Sequence, residues 1–227
     1  MEIFFIKRQV DSIPIISSPL QEGDTKRGYR RALLLEYFTV GYSILEAVLS
    51  ILAGVIAGSV ALIGFGLDSI AESLSGVVLI WRLKKQSTIA SVQEENAIES
   101  KTQKLVGATF LILGGYVLYE TIKMVVTISI PAPSLLGIII ATAALVIMPL
   151  LSYKKYRLGQ QLGLKSLVAD AKETLVCSLL SLALLVGLIA NYFWGLWYVD
   201  PVVSLLIVAF LFREGRELLS GEEDEED

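Results

Sequence analysis

One stretch of this chain limits its fold more than any other. Gly58 to Arg82 reads GSVALIGFGLDSIAESLSGVVLIWR. As a helix it is long enough to cross a hydrocarbon core of about 30 Å. Yet Asp68 and Glu72 sit near its middle, four residues apart, so they share one helix face. A charged side chain at that depth costs on the order of 3 kcal/mol or more, and such residues face a cavity, a partner or an ion.

A second stretch answers the first. Lys165 to Val186 reads KSLVADAKETLVCSLLSLALLV, with Glu173 and Cys177 again four apart. An offset of 105 residues carries Asp68 onto Glu173, Ser69 onto Thr174, Glu72 onto Cys177 and Ser73 onto Ser178. The polar pair thus recurs at matching depth in two spans.

The surrounding composition fits this reading. Of 227 residues, 54% are hydrophobic and the mean hydropathy is +0.66, above the range of soluble domains. Apolar runs recur, which predicts an all-α polytopic membrane protein with six spans. These lie at about Arg31–Ala53, Ser59–Leu83, Lys101–Ile128, Leu135–Tyr153, Gly163–Ala190 and Val202–Leu219. Pro149 is expected to kink the fourth. Residues 1–30 read as a cytoplasmic arm with an interfacial segment at Ile3 to Ile6, residues 31–219 as the transport domain, and residues 220–227 as a solvated acidic tail. The order of charged and apolar residues at the N-terminus is wrong for a signal peptide. No nucleic-acid signature, phosphate loop or catalytic triad appears, so neither an enzyme nor a nucleic-acid binder is predicted.

Lys and Arg gather at one end of the spans: Arg27 and Arg31 at the start of span 1, Lys84 after span 2, Lys101 at the start of span 3, Lys154, Lys155 and Arg157 between spans 4 and 5, and Arg213 near the end of span 6. The links 54–58, 129–134 and 191–201 carry none. The positive-inside rule therefore places both termini in the cytoplasm. On that topology Asp68 lies roughly 14 Å and Glu173 roughly 15 Å from their entry faces, so both are near the midplane. The offset also maps span 1 onto span 4, which predicts a 3+3 inverted repeat with a substrate site between its halves.

Asp68, Glu72, Glu173 and Cys177 make a set of three carboxylates and one thiol, suited to tetrahedral zinc. Thiolate disfavours magnesium and calcium, while iron, manganese, cobalt and cadmium stay open. The chain has no histidine, the usual transition-metal ligand and neutral-pH proton carrier. Metal binding requires deprotonated ligands, so such a site exchanges metal for protons. Cys177 is either a ligand or a small apolar filler. Asp170 is a fifth ligand, a proton carrier or the counter-ion of a lysine. Lys172 is expected to pair with a charge elsewhere in the chain rather than take part in transport. Glu46 and Glu120 line the path or serve a polar network, and Lys123, one turn from Glu120, is expected to pair with it. The serines and Gly76 of span 2 are expected to allow close packing. A purely structural metal site, or a channel or carrier using the acids as a proton relay, are the other readings of these residues.

The runs SVALIGFGLDSIAE and SLVADAKETLVC, with WYVDP before span 6, resemble the cation diffusion facilitator family over about residues 31–219. The resemblance implies a six-helix homodimer that exports divalent metal by alternating access, usually in exchange for protons, with no prosthetic group. It places Asp68 and Glu72, and Glu173 and Cys177, on the ligand positions of helices two and five, and Asp200 and Pro201 on the loop before helix six. A prokaryotic inner membrane is the expected location. The family's ligand sets usually contain histidine. Phe65 stands where many members carry a further acid, Asp170 keeps that acid's counterpart, and Lys172 replaces an apolar residue. Many members continue into a cytoplasmic metal-sensing domain, whereas this sequence ends about eight residues after span 6. Dimerisation is therefore expected to rest on the membrane part.

Overall fold

The computed structural model describes residues 22–85 and 92–220. The segment Ile3 to Ile6 and most of the acidic tail lie outside these residues. Six helices follow one another: α1 Glu22–Ala57, α2 Val60–Lys85, α3 Val92–Thr127, α4 Leu135–Leu162, α5 Lys165–Trp194 and α6 Val199–Ser220. No strand occurs among the described residues. Five helices, α1 to α5, are long and apolar enough to cross a membrane. In α6 the apolar run ends at Phe212, and Arg213, Glu214, Arg216 and Glu217 follow.

Several helices outrun the spans predicted for them. α1 begins at Glu22, inside the expected arm, and α3 begins at Val92, inside the expected polar link. α4 continues through Pro149 and the expected basic loop as far as Leu162. α5 continues past Ala190 to Trp194. Hydropathy marks where a helix meets lipid, and polar residues let the same helix continue into the interface.

The chain runs up and down. At one end the Ala132 N–H donates to the Ala57 carbonyl across 2.7 Å, and Asn191 Nδ2 donates to the Pro131 carbonyl across 3.1 Å. At that same end Asp200, at the start of α6, meets the start of α2. It accepts from the Ser59 hydroxyl in a short hydrogen bond and from the Ala61 N–H at 3.0 Å. Ser59 in turn caps α2 by accepting from Leu62 N–H at 3.1 Å. Helix ends leave backbone groups without partners, and in lipid these need partners from the protein. Asp200 therefore closes one helix end while pinning α6 to it. Asp200→Ala is expected to lower stability by about 1–2 kcal/mol, the cost of a lost cap. Thermal unfolding in detergent beside the wild type checks this.

Three helix pairs build the bundle: α1 with α2, α4 with α5, and α3 with α6. The first two pairs are copies at the 105-residue offset, turn included. Gly58 and Gly163 both sit in left-handed backbone, at φ 68° and 67°, where a side chain would be strained. Ser59 N–H donates to Gly54 carbonyl at 3.0 Å, as Leu164 N–H does to Gly159 carbonyl at 2.9 Å. A Cβ on Gly54 would come within 2.8 Å of Ile63 N, and one on Gly159 within 3.1 Å of Val168 N. All four pairs of positions differ by 105. Three helices separate the copies in an alternating bundle, so the second hairpin is inverted relative to the first. α3 and α6 cross in backbone contact, where a Cβ on either Gly107 or Gly215 would lie 2.9 Å from the other's carbonyl oxygen.

Phe65, Phe110, Leu62, Met148, Leu184 and Leu211 fill the interior. Outside, Leu45, Leu52 and Ile56 on α1 and Ile112, Tyr119 and Val126 on α3 are exposed. Such apolar flanks suit acyl chains.

Candidate metal site

Asp68 and Glu72 lie on the interior face of α2 at 2% and 3% exposure. α1 approaches this face closely because α2 has glycine on the same side. A Cβ on Gly66 would stand 2.7 Å from Ile51 Cγ1 and 3.0 Å from the Ala47 carbonyl, and one on Gly76 would stand 2.7 Å from Val40 Cγ2. Ser69 and Ser73 turn their hydroxyls back to the carbonyls of Phe65 and Ser69. They are helix-packing residues, as the sequence suggested, and leave the carboxylates as the polar groups of the face.

The four predicted ligands meet in pairs. Across to α5, the Asp68 carboxylate faces the Cys177 thiol, itself 1% exposed. Glu72 accepts from the Ser43 hydroxyl of α1 at 2.9 Å and lies beside Thr174 of α5. Glu173 turns to Ser75 of α2, whose hydroxyl donates to its Oε2 at 3.3 Å. Ser75 thus binds a carboxylate, beyond the packing role expected of it. Among the described residues no three Asp, Glu, Cys or His side chains converge on one metal position in this conformation. Asp68 Oδ1 and Glu72 Oε1 are buried without a hydrogen-bond partner. Phe65, at the position where a further acid was considered, is fully buried in the apolar core.

Of the accessory residues, Asp170 has a definite place. Its Oδ2 pairs with Lys155 Nζ at 2.5 Å, and the same ammonium lies 3.2 Å from Glu36 Oε2. Asp170 is therefore the counter-ion of a lysine. That lysine is Lys155, which falls in the basic link between the fourth and fifth predicted spans and is fully buried. The reason is the extension of α4. The buried stripe Ala141, Ala144, Met148, Ser152 continues through Lys155 to Gly159, where α5 comes close. Ser152 Oγ also donates to the Ala171 carbonyl at 2.6 Å across this contact. Glu36, fully buried on α1, was not singled out from the sequence. Its signal is a polar stripe, Glu36, Thr39, Ser43, Glu46 and Ser50, at helical spacing on α1, all of it buried.

The remaining residues are quickly placed. Lys172 is exposed and forms no ion pair among the described residues, so the predicted charge partner for it is not found. Glu120 pairs with Lys123 at 3.2 Å on the outer side of α3, as its spacing suggested, and does not line an interior path. Glu46 is buried at 2% exposure and neighbours Glu72 and Asp68.

An inverted pair of helical hairpins with buried acids between them defines a polytopic membrane transporter. The model of the cation efflux transmembrane domain matches residues 37–221, and the chain belongs to this family. Metal-cation efflux is the activity the family carries. Transmembrane protein 163 of Xenopus laevis is 22% identical over 207 residues, 89% of this chain and 71% of that protein. Magnetosome protein MamB of Paramagnetospirillum magneticum is 24% identical over 169 residues, 73% of this chain and 57% of that protein.

Proposed function

We propose that the chain exports a divalent metal ion, zinc before iron(II) or manganese, by alternating access in exchange for protons. The observation that carries this reading is the buried acid pair of α2, Asp68 and Glu72, each with an oxygen that has no partner. A bare carboxylate away from water is costly, so each oxygen calls for a cation or a proton. Deprotonated ligands hold metal and protonated ones release it, which couples the two ions. Asp68, Glu72, Glu173 and Cys177 are the proposed ligands. To share one ion, Glu173 would leave Ser75 and join Asp68, Glu72 and Cys177. The two matching hairpins supply two similar packings for inward and outward opening. A homodimer in a prokaryotic inner membrane, with both termini cytoplasmic, completes the proposal. The grouping of Lys and Arg at the end of the bundle where α1 begins and α6 ends supports that orientation.

Flux of zinc, iron(II), manganese and cadmium into proteoliposomes tests the proposal. Zinc is expected to move fastest. Tight binding without flux of any metal would replace transport by a structural site. Cys177→Ala is expected to weaken zinc binding by about tenfold or more while manganese binding changes less, because sulfur matters more to the softer ion. Calorimetry in detergent checks this, and an unchanged zinc affinity would make Cys177 a packing residue.

A further inference from the structure

Glu46 is a buried acid that the ligand set above leaves without a role. It lies on α1, is 2% exposed, and its carboxylate oxygens make no hydrogen bond of ordinary length, the Tyr42 and Ser69 hydroxyls acting on them only from longer range. One turn further on, Ser50 is fully buried and its hydroxyl also lacks a partner. Tyr42 and Ser69 stand beside Glu46, and the nearby charges are Glu72 and Asp68, both acids. The other buried acids have a definite partner. Glu36 and Asp170 share Lys155, with Glu36 Oε1 left without a hydrogen bond, and Asp200 takes Ser59 and Ala61. Around Glu46, Asp68 and Glu72, four carboxylate oxygens and one hydroxyl stand without partners. Lys155, the one lysine buried among the described residues, is already held by two other acids.

Buried polar groups are almost always partnered, so several unpartnered oxygens in one region call for an ion, a proton or a water. Three acids in one dry region repel each other unless a cation stands among them. We infer that Glu46 is a cation ligand supplied by α1, adding a carboxylate to the Asp68 and Glu72 side of the site. This rests on the reading of Asp68 and Glu72 as ligands. The ligand chemistry is that of a divalent cation accepting several carboxylate oxygens, which zinc and manganese both do. A glutamate side chain has the rotamer freedom to close on an ion held by Asp68 and Glu72. Ser50, at the next turn, is placed to donate to the Glu46 carboxylate once that carboxylate is ligated, as outer partners of metal ligands do.

The alternative is a protonated structural acid, and glutamine mimics that form in size and polarity. Calorimetric titration of the full chain in detergent with zinc and with cadmium separates the two. Glu46→Gln is expected to bind zinc about tenfold or more weaker than wild type. Glu46→Cys, which offers a softer ligand at the same place, is expected to shift the cadmium-over-zinc preference upward by a similar factor. Equal zinc affinity in folded Glu46→Gln overturns the inference. Should Glu46→Gln fail to fold, an unchanged cadmium preference in Glu46→Cys overturns it. Wild type that binds neither metal removes the transport-site reading and this inference together, whereas wild type that binds and Glu46→Gln that binds equally removes this inference alone.

Discussion

Lys155→Met is expected to destabilise the bundle by about 3–5 kcal/mol, the cost of stripping a buried ion group of its partner. The lysine is fully buried, 2.5 Å from Asp170 and 3.2 Å from Glu36. Removing its charge leaves two acids facing each other in a dry contact. Adding Glu36→Gln and Asp170→Asn to Lys155→Met is expected to recover most of the loss, because the triple variant buries no charge at this place. Thermal unfolding in detergent of single and triple variants measures both effects. A single variant as stable as wild type would mean that water reaches the triad.

The position of this triad gives it a second consequence. Glu36 comes from the first hairpin, and Lys155 and Asp170 come from the second. It therefore ties the two inverted halves together, between the predicted ligands and the end of the bundle where α5 begins. Any rocking of one hairpin against the other turns about this tie or breaks it. The triad is a buried ion cluster of the kind that specifies one arrangement as much as it stabilises it, and its cost is bearable only while all three members are present.

Asp68→Asn is expected to have the largest effect on transport, lowering metal flux to that of empty liposomes. Asparagine keeps the size of the residue, removes its charge and turns one acceptor oxygen into an amide donor. Asp68 is nearly inaccessible, faces Cys177 and has one unpartnered oxygen. No cation stands beside Asp68 among the described residues, so the variant is expected to fold at least as well as wild type. A neutral amide in a dry site costs less than a carboxylate. Flux in proteoliposomes together with unfolding temperature reads both parts. Lost flux with retained stability assigns Asp68 to the ion. Lost flux with lost stability would make it structural.

The sequence carried most of the architecture because a membrane writes its demands in the simplest pattern. Apolar runs marked the helices, the absence of Lys and Arg from three links marked one end of the bundle, and the spacing of Asp68 with Glu72 and of Glu173 with Cys177 marked two interior faces. The 105-residue offset was visible in those polar pairs. It proved stronger in the turns, where Gly54 and Gly159, and Gly58 and Gly163, play the same parts. Small residues give a weak pattern on their own, and only backbone contact shows why they recur.

Three things were not legible, each for a physical reason. Lys155 follows an apolar run, which is where a solvated positive flank belongs, and only the continued helical stripe to Gly159 turns it inward. Glu36 sits close behind Arg30 and Arg31 and reads as part of a charged entrance, whereas it lies four residues beyond a buried Ala32 on the face that meets α4. Asp200 was noted only as part of WYVDP. Its work at the start of α2 joins residues 141 apart, and no local pattern signals a contact of that range.

In the proposed cycle one set of buried carboxylates holds metal and protons in turn. The most direct measurement follows zinc entry and internal pH together, in proteoliposomes that carry a pH-sensitive dye and an imposed pH gradient. Zinc flux is expected to rise with the gradient, protons to move the opposite way only when zinc is present, and both signals to vanish in Asp68→Asn. Zinc flux that ignores the gradient and moves no protons would contradict this cycle.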